Sequence, residues 1–201
     1  TTSKNLNISL DKLYLHFIKG NDTMCLIYFF AKHSEFKEKH FVYEYNLIRG
    51  NITRLLYSCI ANSFELGNDP ISSDFKLGFI IREDYNSTQK LVIYDLKKDK
   101  IEKEIKGVTA FAFAKDTNIL VASLYSRSLE IYKTDGELIG KKINIGNYNI
   151  SEINWLSNER IYVEIKKRRI GERYKIRYKI FYPYKFKFKK YRNKNGERIY
   201  L

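Results

Sequence analysis

The chain has 201 residues, with 37 Lys and Arg against 23 Asp and Glu, and a formal net charge of +14. Its 44% apolar content, rich in Ile, Leu, Tyr and Phe, excludes disorder of the whole chain, and two cysteines exclude a disulfide scaffold. A chain of this length buries roughly 70% of its unfolded surface, so we expect a globular, aromatic-rich, basic domain.

The first strands are predicted in the N-terminal third of the chain. Residues 25–31 and 41–47 are rich in β-branched and aromatic residues and are separated by polar residues. Residues 52–56 are predicted as the next strand. Apolar residues three and four apart continue from there to Phe64, so a helix capped by Asn51 and ended by Gly67 is the alternative.

Short strands continue through the middle and the end of the chain. They are predicted at residues 75–82, 90–96, 101–105, 108–114, 119–124, 128–132, 137–143, 150–156, 160–166 and 174–182. The unit over 108–143 is the clearest, because it holds four strands in about 36 residues and because small residues alternate with aromatics in its first strand.

The third strands of two units share a sequence pattern. They read Val92-Ile93-Tyr94-Asp95 and Leu129-Glu130-Ile131-Tyr132. This pattern resembles the blades of WD-repeat-like β-propellers, most clearly over residues 90–143. Tyr94-Asp95 and Tyr132-Lys133 replace the Trp-Asp dipeptide of that family, and its Gly-His signature is absent.

The resemblance implies an all-β fold of four-stranded antiparallel blades, in a small or partial β-propeller. We expect a single propeller-like domain over 1–201, with approximate blades at 10–56, 57–105, 106–143 and 144–201. The alternatives are a β-sandwich or barrel, or a mixed α+β fold. Four blades either close a small ring or belong to a larger ring that is completed by further sequence or by a second copy of the chain. Self-association is therefore expected if the ring is incomplete.

The positive charge is concentrated near the C-terminus. Residues 164–198 contain fifteen Lys and Arg and three acids, a net charge of +12, whereas the remainder carries only +2. From 173 to 180 and again from 185 to 189, cations alternate with aromatic or aliphatic residues, which in a strand gives one cationic face and one apolar face. We expect the aromatic positions to face the core.

This basic segment is the predicted site for a polyanion. An acidic protein surface and nucleic-acid phosphate are the two main partners considered, an anionic membrane surface is a third, and a solvated edge strand is the structural alternative. The candidate residues are Lys166, Lys167, Arg168, Arg169, Arg173, Lys175, Arg177, Lys179, Lys185, Lys187, Lys189 and Lys190.

Catalytic, metal and cofactor sites are not indicated. No nucleophile-elbow, Walker or Gly-x-Gly-x-x-Gly motif occurs, and Asp69, Asp74, Glu83 and Asp84 are interpreted as solvated residues around one loop. His16, His33 and His40 are scattered, the last two flanking a predicted surface turn. Cys25 and Cys59 are predicted to be buried thiols, with a disulfide as the alternative. We therefore expect no metal, no cofactor and no enzymatic activity.

Five Asn-x-Ser/Thr sites are candidates for glycosylation of a displayed structural protein. They begin at Asn7, Asn21, Asn51, Asn86 and Asn149. The longest apolar run has about eight residues, against roughly 20 for a membrane span, so we expect no span and favour a cytoplasmic location over external display. The favoured function is a non-enzymatic interaction platform that docks a protein partner, with sequence-nonspecific nucleic-acid binding in a ribonucleoprotein or viral particle as the alternative.

Overall fold

The structure, a computed structural model, describes residues 12–17, 23–32, 34, 37–139, 142–145, 149–157, 160–167, 175–181, 190–192 and 198–200. Within these ranges the chain forms seventeen strands in four sheets and no helix. It divides into two compact units, Thr1–Phe64 with Ile81–Ser87 and Glu65–Ile80 with Thr88–Leu201.

The first unit contains the first sheet. Its strands are β1 (Lys12–Phe17), β2 (Met24–Lys32), β3 (Glu38–Asn46) and β4 (Asn51–Ala61), paired antiparallel in the order β1-β2-β3-β4. On one face Leu26 and Val42 are fully buried. On the other face Phe29 stacks on Phe41 and Tyr43, with ring centroids 5.1 and 5.4 Å away.

The helix considered from residue 52 to Phe64 is wrong, because residues 51–61 form strand β4. Two bulges in β4, where the pairing to β3 shifts, explain its helical spacing. Each bulge adds one residue, so that positions 52, 55, 58 and 60 share one face of the sheet. Apolar residues three apart in sequence are therefore neighbours on a bulged strand rather than on a helix.

His40 is buried, although the sequence placed it beside a surface turn. Strand β3 begins at Glu38, and the His40 side chain is 1% exposed among Tyr28, Phe30 and Phe64. Its Nδ1 lies 3.0 Å from the Tyr28 hydroxyl. Burial disfavours the charged imidazolium and lowers the pKa of His40 from 6.5 to about 4.

The depressed pKa of His40 predicts an acid-sensitive fold. The unfolded chain binds a proton below about pH 6.5 while the folded chain stays neutral at this site, so stability is present above 6.5 and is lost as the pH falls to 4. We expect urea unfolding to give a free energy that falls by about 1.4 kcal/mol per pH unit between 6.5 and 4.5. The variant His40→Phe should flatten this slope, and an equal slope in both proteins would contradict the assignment.

The second unit holds most of the second sheet. Its strands are β5 (Ser63–Ile71), β6 (Lys76–Arg82), β7 (Lys90–Asp95) and β8 (Lys100–Lys106), in the order β5-β6-β7-β8. The sequence did not predict β5, because Gly67, Asn68, Asp69 and Pro70 are typical of turns. Gly67 lets the Phe111 ring pack closely against β5, since a Cβ at this position would lie 3.0 Å from that ring.

The third and fourth sheets complete the second unit. The third contains β9 (Val108–Phe113), β10 (Ile119–Leu124), β11 (Ser128–Lys133) and β12 (Ile143–Asn144) in the order β12-β11-β10-β9. The fourth contains β13 (Asn149–Ser157), β14 (Arg160–Lys167), β15 (Lys175–Phe181), β16 (Lys190–Arg192) and β17 (Arg198–Tyr200) in the order β13-β14-β15-β17-β16.

The predicted strand over 137–143 is only partly formed. Lys133 and Glu137 close a turn with an ion pair, and a single bridge joins Tyr132 to Leu138 before β12 begins at Ile143. The third and fourth sheets share one apolar core, which is formed by Ala112, Ala114, Val121, Leu129, Ile131, Ile145, Ile150, Ile153, Trp155, Ile161, Val163 and Ile165.

Cys25 and Cys59, both within the described ranges, are not joined in a disulfide. Cys25 is buried as predicted, whereas Cys59 is only half-buried. In the part of the chain that the structure describes, no helix is long and apolar enough to cross a membrane.

Candidate interaction surfaces

The basic segment is described in part. Lys166 and Lys167 end β14, Lys175, Arg177 and Lys179 lie on β15, and Lys190 begins β16. The other candidates, Arg168, Arg169, Arg173, Lys185, Lys187 and Lys189, lie outside the described residues. The fourth sheet therefore brings together strands from both halves of the basic segment.

The pairing of β14 with β15 assigns the cationic positions to one face. Lys179 is opposite Val163, Arg177 is opposite Ile165, and Lys175 is opposite Lys167. Directly opposed positions of an antiparallel pair share a face. Positions 175, 177 and 179 thus lie along one face of β15 in the backbone register, and the prediction that the aromatic positions face the core stays a prediction.

In the register of the fourth sheet, residues of like charge are directly opposed at two cationic pairs and at one acidic pair, Glu152 with Glu164 between β13 and β14. Lys167 is opposite Lys175 between β14 and β15, and Arg192 is opposite Arg198 between β16 and β17. Opposed like charges destabilise a sheet. Residues 164–198 hold only three acids for fifteen bases, so this segment carries a net charge of +12.

The charge of Lys166 is compensated by a neighbouring carboxylate. Its Nζ lies 3.2 Å from Glu164 Oε1, and Glu164 also accepts a 2.6 Å hydrogen bond from the Ser151 hydroxyl. The hydrogen bond from Ser151, together with the Lys166 ammonium, lowers the pKa of Glu164. Lys166 is therefore a weaker candidate for binding an external anion.

A cavity of about 130 Å³ lies between the first strands of the second, third and fourth sheets, within the second unit. Its walls come from β5, β6, β9 and β13, and it is lined by Glu65, Leu66, Gly67, Ile80, Thr109, Ala110, Phe111, Ser151, Glu152 and Ile153. Two carboxylates and two hydroxyls make the polar lining suited to cationic or hydrogen-bond-donating groups. The sequence did not predict this cavity, because its residues come from distant strands.

A buried ionic cluster stabilises the second sheet. Lys76 is 7% exposed, and its Nζ donates to Asp95 Oδ2 at 2.5 Å and to Glu102. Asp95 Oδ1 accepts two backbone hydrogen bonds of 2.9 Å from Lys97 and Lys98, which closes the turn after β7. Asp95, which ends the Tyr94-Asp95 dipeptide, therefore acts both as a turn cap and as an ion-pair partner.

The acidic residues predicted around one loop are separated. Asp69 lies in β5 and Asp74 in the following turn, whereas Glu83 and Asp84 lie beyond the far end of the seven-residue strand β6. Among the described residues, no group of three or more His, Cys, Asp or Glu side chains is placed to hold a metal ion.

Three of the glycosylation candidates are exposed in the described ranges. Asn51 begins β4, Asn86 lies in the turn after β6, and Asn149 begins β13. Asn7 and Asn21 lie outside the described residues. Glycosylation at these sites stays a prediction.

No protein-family model matches the chain, and no curated protein matches it. Solved structures do resemble it. The β-propeller domain of the Trilobed protease from Pyrococcus furiosus is 14% identical, with a TM-score of 0.53, and the match covers 96% of this chain and 58% of that one. The structure of U3-55K is 15% identical, with a TM-score of 0.48 and coverages of 85% and 52%. The WD40 domain of Neurospora crassa Pan2 is 12% identical, with a TM-score of 0.46 and coverages of 89% and 64%.

The chain spans between 52% and 64% of the length of these structures. The likeness to the Pyrococcus domain, at the highest of the three TM-scores, shows the fold alone. The chain is all-β, its first three sheets are four-stranded and antiparallel as in propeller blades, and the predicted β-propeller-like fold is confirmed.

Proposed function

We propose that the chain is a non-enzymatic interaction platform that docks an acidic protein partner through its basic C-terminal sheet. The observation that carries this proposal is the direct opposition of like charges, Lys167 to Lys175 and Arg192 to Arg198. An anion bound across such pairs offsets their repulsion, so a sheet of this composition is stabilised by an acidic partner.

Outside the basic segment, charges are largely compensated. Lys90 and Lys106 are also directly opposed, between β7 and β8, but Lys90 forms an ion pair with Glu104. In the described ranges, ion pairs compensate several cations, among them Lys37 with Asp84, Arg54 with Glu44 and Lys90 with Glu104. The residues outside 164–198 carry a net charge of only +2. An acidic partner is therefore attracted to one sheet and not to the whole surface.

The proposal is tested by neutralising cations of the basic segment. In one variant Lys175, Arg177, Lys179, Lys185, Lys187 and Lys189 are all replaced by Gln. We expect the affinity for fluorescent poly-L-glutamate, measured by anisotropy at low salt, to fall at least about tenfold, which corresponds to about 1.4 kcal/mol. The affinity of the original chain should also fall steeply with added salt.

A matched control separates local charge from net charge. Exposed Lys97, Lys98, Lys100, Lys103, Lys106 and Lys115 are replaced by Gln, which removes the same six charges elsewhere. This control should keep most of the affinity. Equal losses in the two variants, or no binding of poly-L-glutamate at low salt, would overturn the proposal. Tighter binding of mixed-sequence single-stranded RNA than of poly-L-glutamate would replace the acidic protein with nucleic acid.

A further inference from the structure

An open cleft of about 510 Å³ lies in the first unit, beside the end of the first sheet at which β3 begins and β4 ends. Three connections supply its lining. Lys37 precedes β3, Asn62 joins β4 to β5, and Asp84, Tyr85 and Asn86 lie in the turn after β6. The volume is within the range of about 300–1,000 Å³ that small-molecule sites commonly have, but the described lining contains no aliphatic side chain. The cleft therefore suits a hydrophilic ligand.

Hydrogen bonds and an ion pair fix the walls of this cleft. The Ser87 hydroxyl donates to the Asp84 carbonyl at 2.8 Å and accepts from the Asp84 backbone N–H at 2.9 Å, which closes the turn after β6. The backbone N–H of Asn62 donates to the Arg82 carbonyl at 2.8 Å, and the Lys37 ammonium pairs with the Asp84 carboxylate. All three connections are thus held in place without a ligand, which lowers the entropic cost of binding one.

Two carboxamides and a phenol ring line the cleft. In the described part of the chain, neither the Asn62 nor the Asn86 carboxamide makes a hydrogen bond to the protein. Each carboxamide presents an acceptor oxygen and two N–H donors in one plane. Tyr85 is 69% exposed, so most of its ring is accessible to a ligand. The lining therefore offers paired donors and acceptors together with an aromatic ring.

The charges of the cleft cancel. Lys37 and Asp84, whose side chains are 39% and 60% exposed, are the two charged residues of the described lining, and they pair with each other. A charged ligand meets a group of its own sign here and competes with an existing ion pair, so a neutral ligand is favoured. The ammonium can still donate, and the carboxylate can still accept, a hydrogen bond from a neutral hydroxyl group.

We propose that this cleft binds a neutral saccharide. Each hydroxyl of a sugar is both a donor and an acceptor, so two neighbouring hydroxyls match the oxygen and nitrogen of a carboxamide. The flat face of a pyranose ring carries C–H groups, which pack against an exposed aromatic ring such as that of Tyr85. An apolar ligand would leave the buried carboxamides unpaired. The cleft belongs to the first unit and the basic sheet to the second, so this inference is independent of the function proposed above.

The test is an array of immobilised neutral oligosaccharides built from glucose, galactose, mannose and N-acetylglucosamine. The full chain is made by bacterial expression, so that Asn86, which begins an Asn-x-Ser/Thr site, carries no glycan of its own. We expect the array to retain the protein on a subset of these oligosaccharides. Calorimetric titration with a retained oligosaccharide in solution then gives the affinity.

Single substitutions test the assignment of the lining. Tyr85→Ala and Asn62→Ala should each weaken saccharide binding at least about tenfold, whereas Tyr85→Phe keeps the ring and should keep most of the affinity. Two controls change matched residues outside the cleft, Tyr125→Ala at a tyrosine that is 62% exposed and Asn144→Ala at an exposed asparagine, and should leave the affinity unchanged. Thermal unfolding checks that every variant is folded.

Three results would overturn the proposal. The first is that no neutral oligosaccharide of the array retains the protein, and the second is that Tyr85→Ala and Tyr125→Ala weaken binding equally. The third is tighter binding of adenosine or uridine than of any oligosaccharide, which would assign the cleft to a nucleobase. Replacement of the six cations of the basic segment by Gln should leave saccharide binding unchanged, so this proposal and the proposed function can fail separately.

Discussion

Replacement of Lys76 by Met is expected to lower the free energy of unfolding by about 3–5 kcal/mol, because it leaves buried carboxylates without their cation. The Asp95 side chain is 3% exposed and the Glu102 side chain 18% exposed, and Lys76 Nζ contacts both. Burial raises the pKa of Asp95, but the hydrogen bond from Lys76 and those from the Lys97 and Lys98 amides outweigh it and hold the pKa well below its usual range. The measurement is chemical denaturation at neutral pH.

Lys98 provides the matched control for Lys76. Its Nζ lies 3.4 Å from both Asp95 and Glu102, but its side chain is 57% exposed. Lys98→Met should therefore cost less than about 1 kcal/mol. The double variant Lys76→Met with Asp95→Asn should recover part of the stability, since it removes one uncompensated charge. Equal effects of Lys76→Met and Lys98→Met would show that burial does not decide the strength of this cluster.

Replacement of Trp155 by Ala is expected to cost about 3–5 kcal/mol, because it opens a cavity in the core shared by the third and fourth sheets. Trp155 is 4% exposed and packs among residues of β9, β13 and β14. Its Nε1 donates a 3.0 Å hydrogen bond to the Ala112 carbonyl of β9. Thermal and urea unfolding of the variant measure the loss.

Two further variants separate the hydrogen bond of Trp155 from its packing and compare it with an exposed neighbour. Trp155→Phe keeps an aromatic ring but removes the donor to Ala112, and should cost about 1–3 kcal/mol. Leu156→Ala changes the next residue of the same strand, which is 52% exposed, and should cost less than about 1 kcal/mol. If Leu156→Ala destabilised the protein as much as Trp155→Ala, the shared core would not include Trp155 in the way the structure shows.

The strands that could be predicted are short, largely apolar runs bounded by turns. β9, β10 and β11 lie within one residue of their predicted bounds, because small residues alternate with aromatics in β9, because β10 and β11 are rich in aliphatic residues, and because short turns separate the three strands. β5 and β4 could not be assigned in this way. A glycine stands at position 67 because the ring of Phe111, 44 residues further along the chain, packs against it. The spacing of the apolar residues in β4 depends on bulges that form only when β4 pairs with β3.

The functional surfaces also divide into those that the sequence predicts and those that it does not. A count of charges along the chain locates the basic segment, because net charge is a property of composition. The cluster of Lys76, Asp95 and Glu102 joins three strands, and the cavity joins strands of three sheets, so neither has a characteristic spacing in sequence. The lone lysine in the apolar run from Phe75 to Ile81 was the available signal for the cluster.

The order of strands within the sheets has a consequence for how the chain folds. In the first three sheets every strand pairs with its neighbour in sequence, so the contacts that build each sheet close short loops and are rapid to form. The fourth sheet departs from this order, because β15 pairs in parallel with β17 and β16 lies at the edge. During synthesis the first three sheets can therefore assemble as they emerge, whereas the most basic sheet is completed only once β17 has been synthesised.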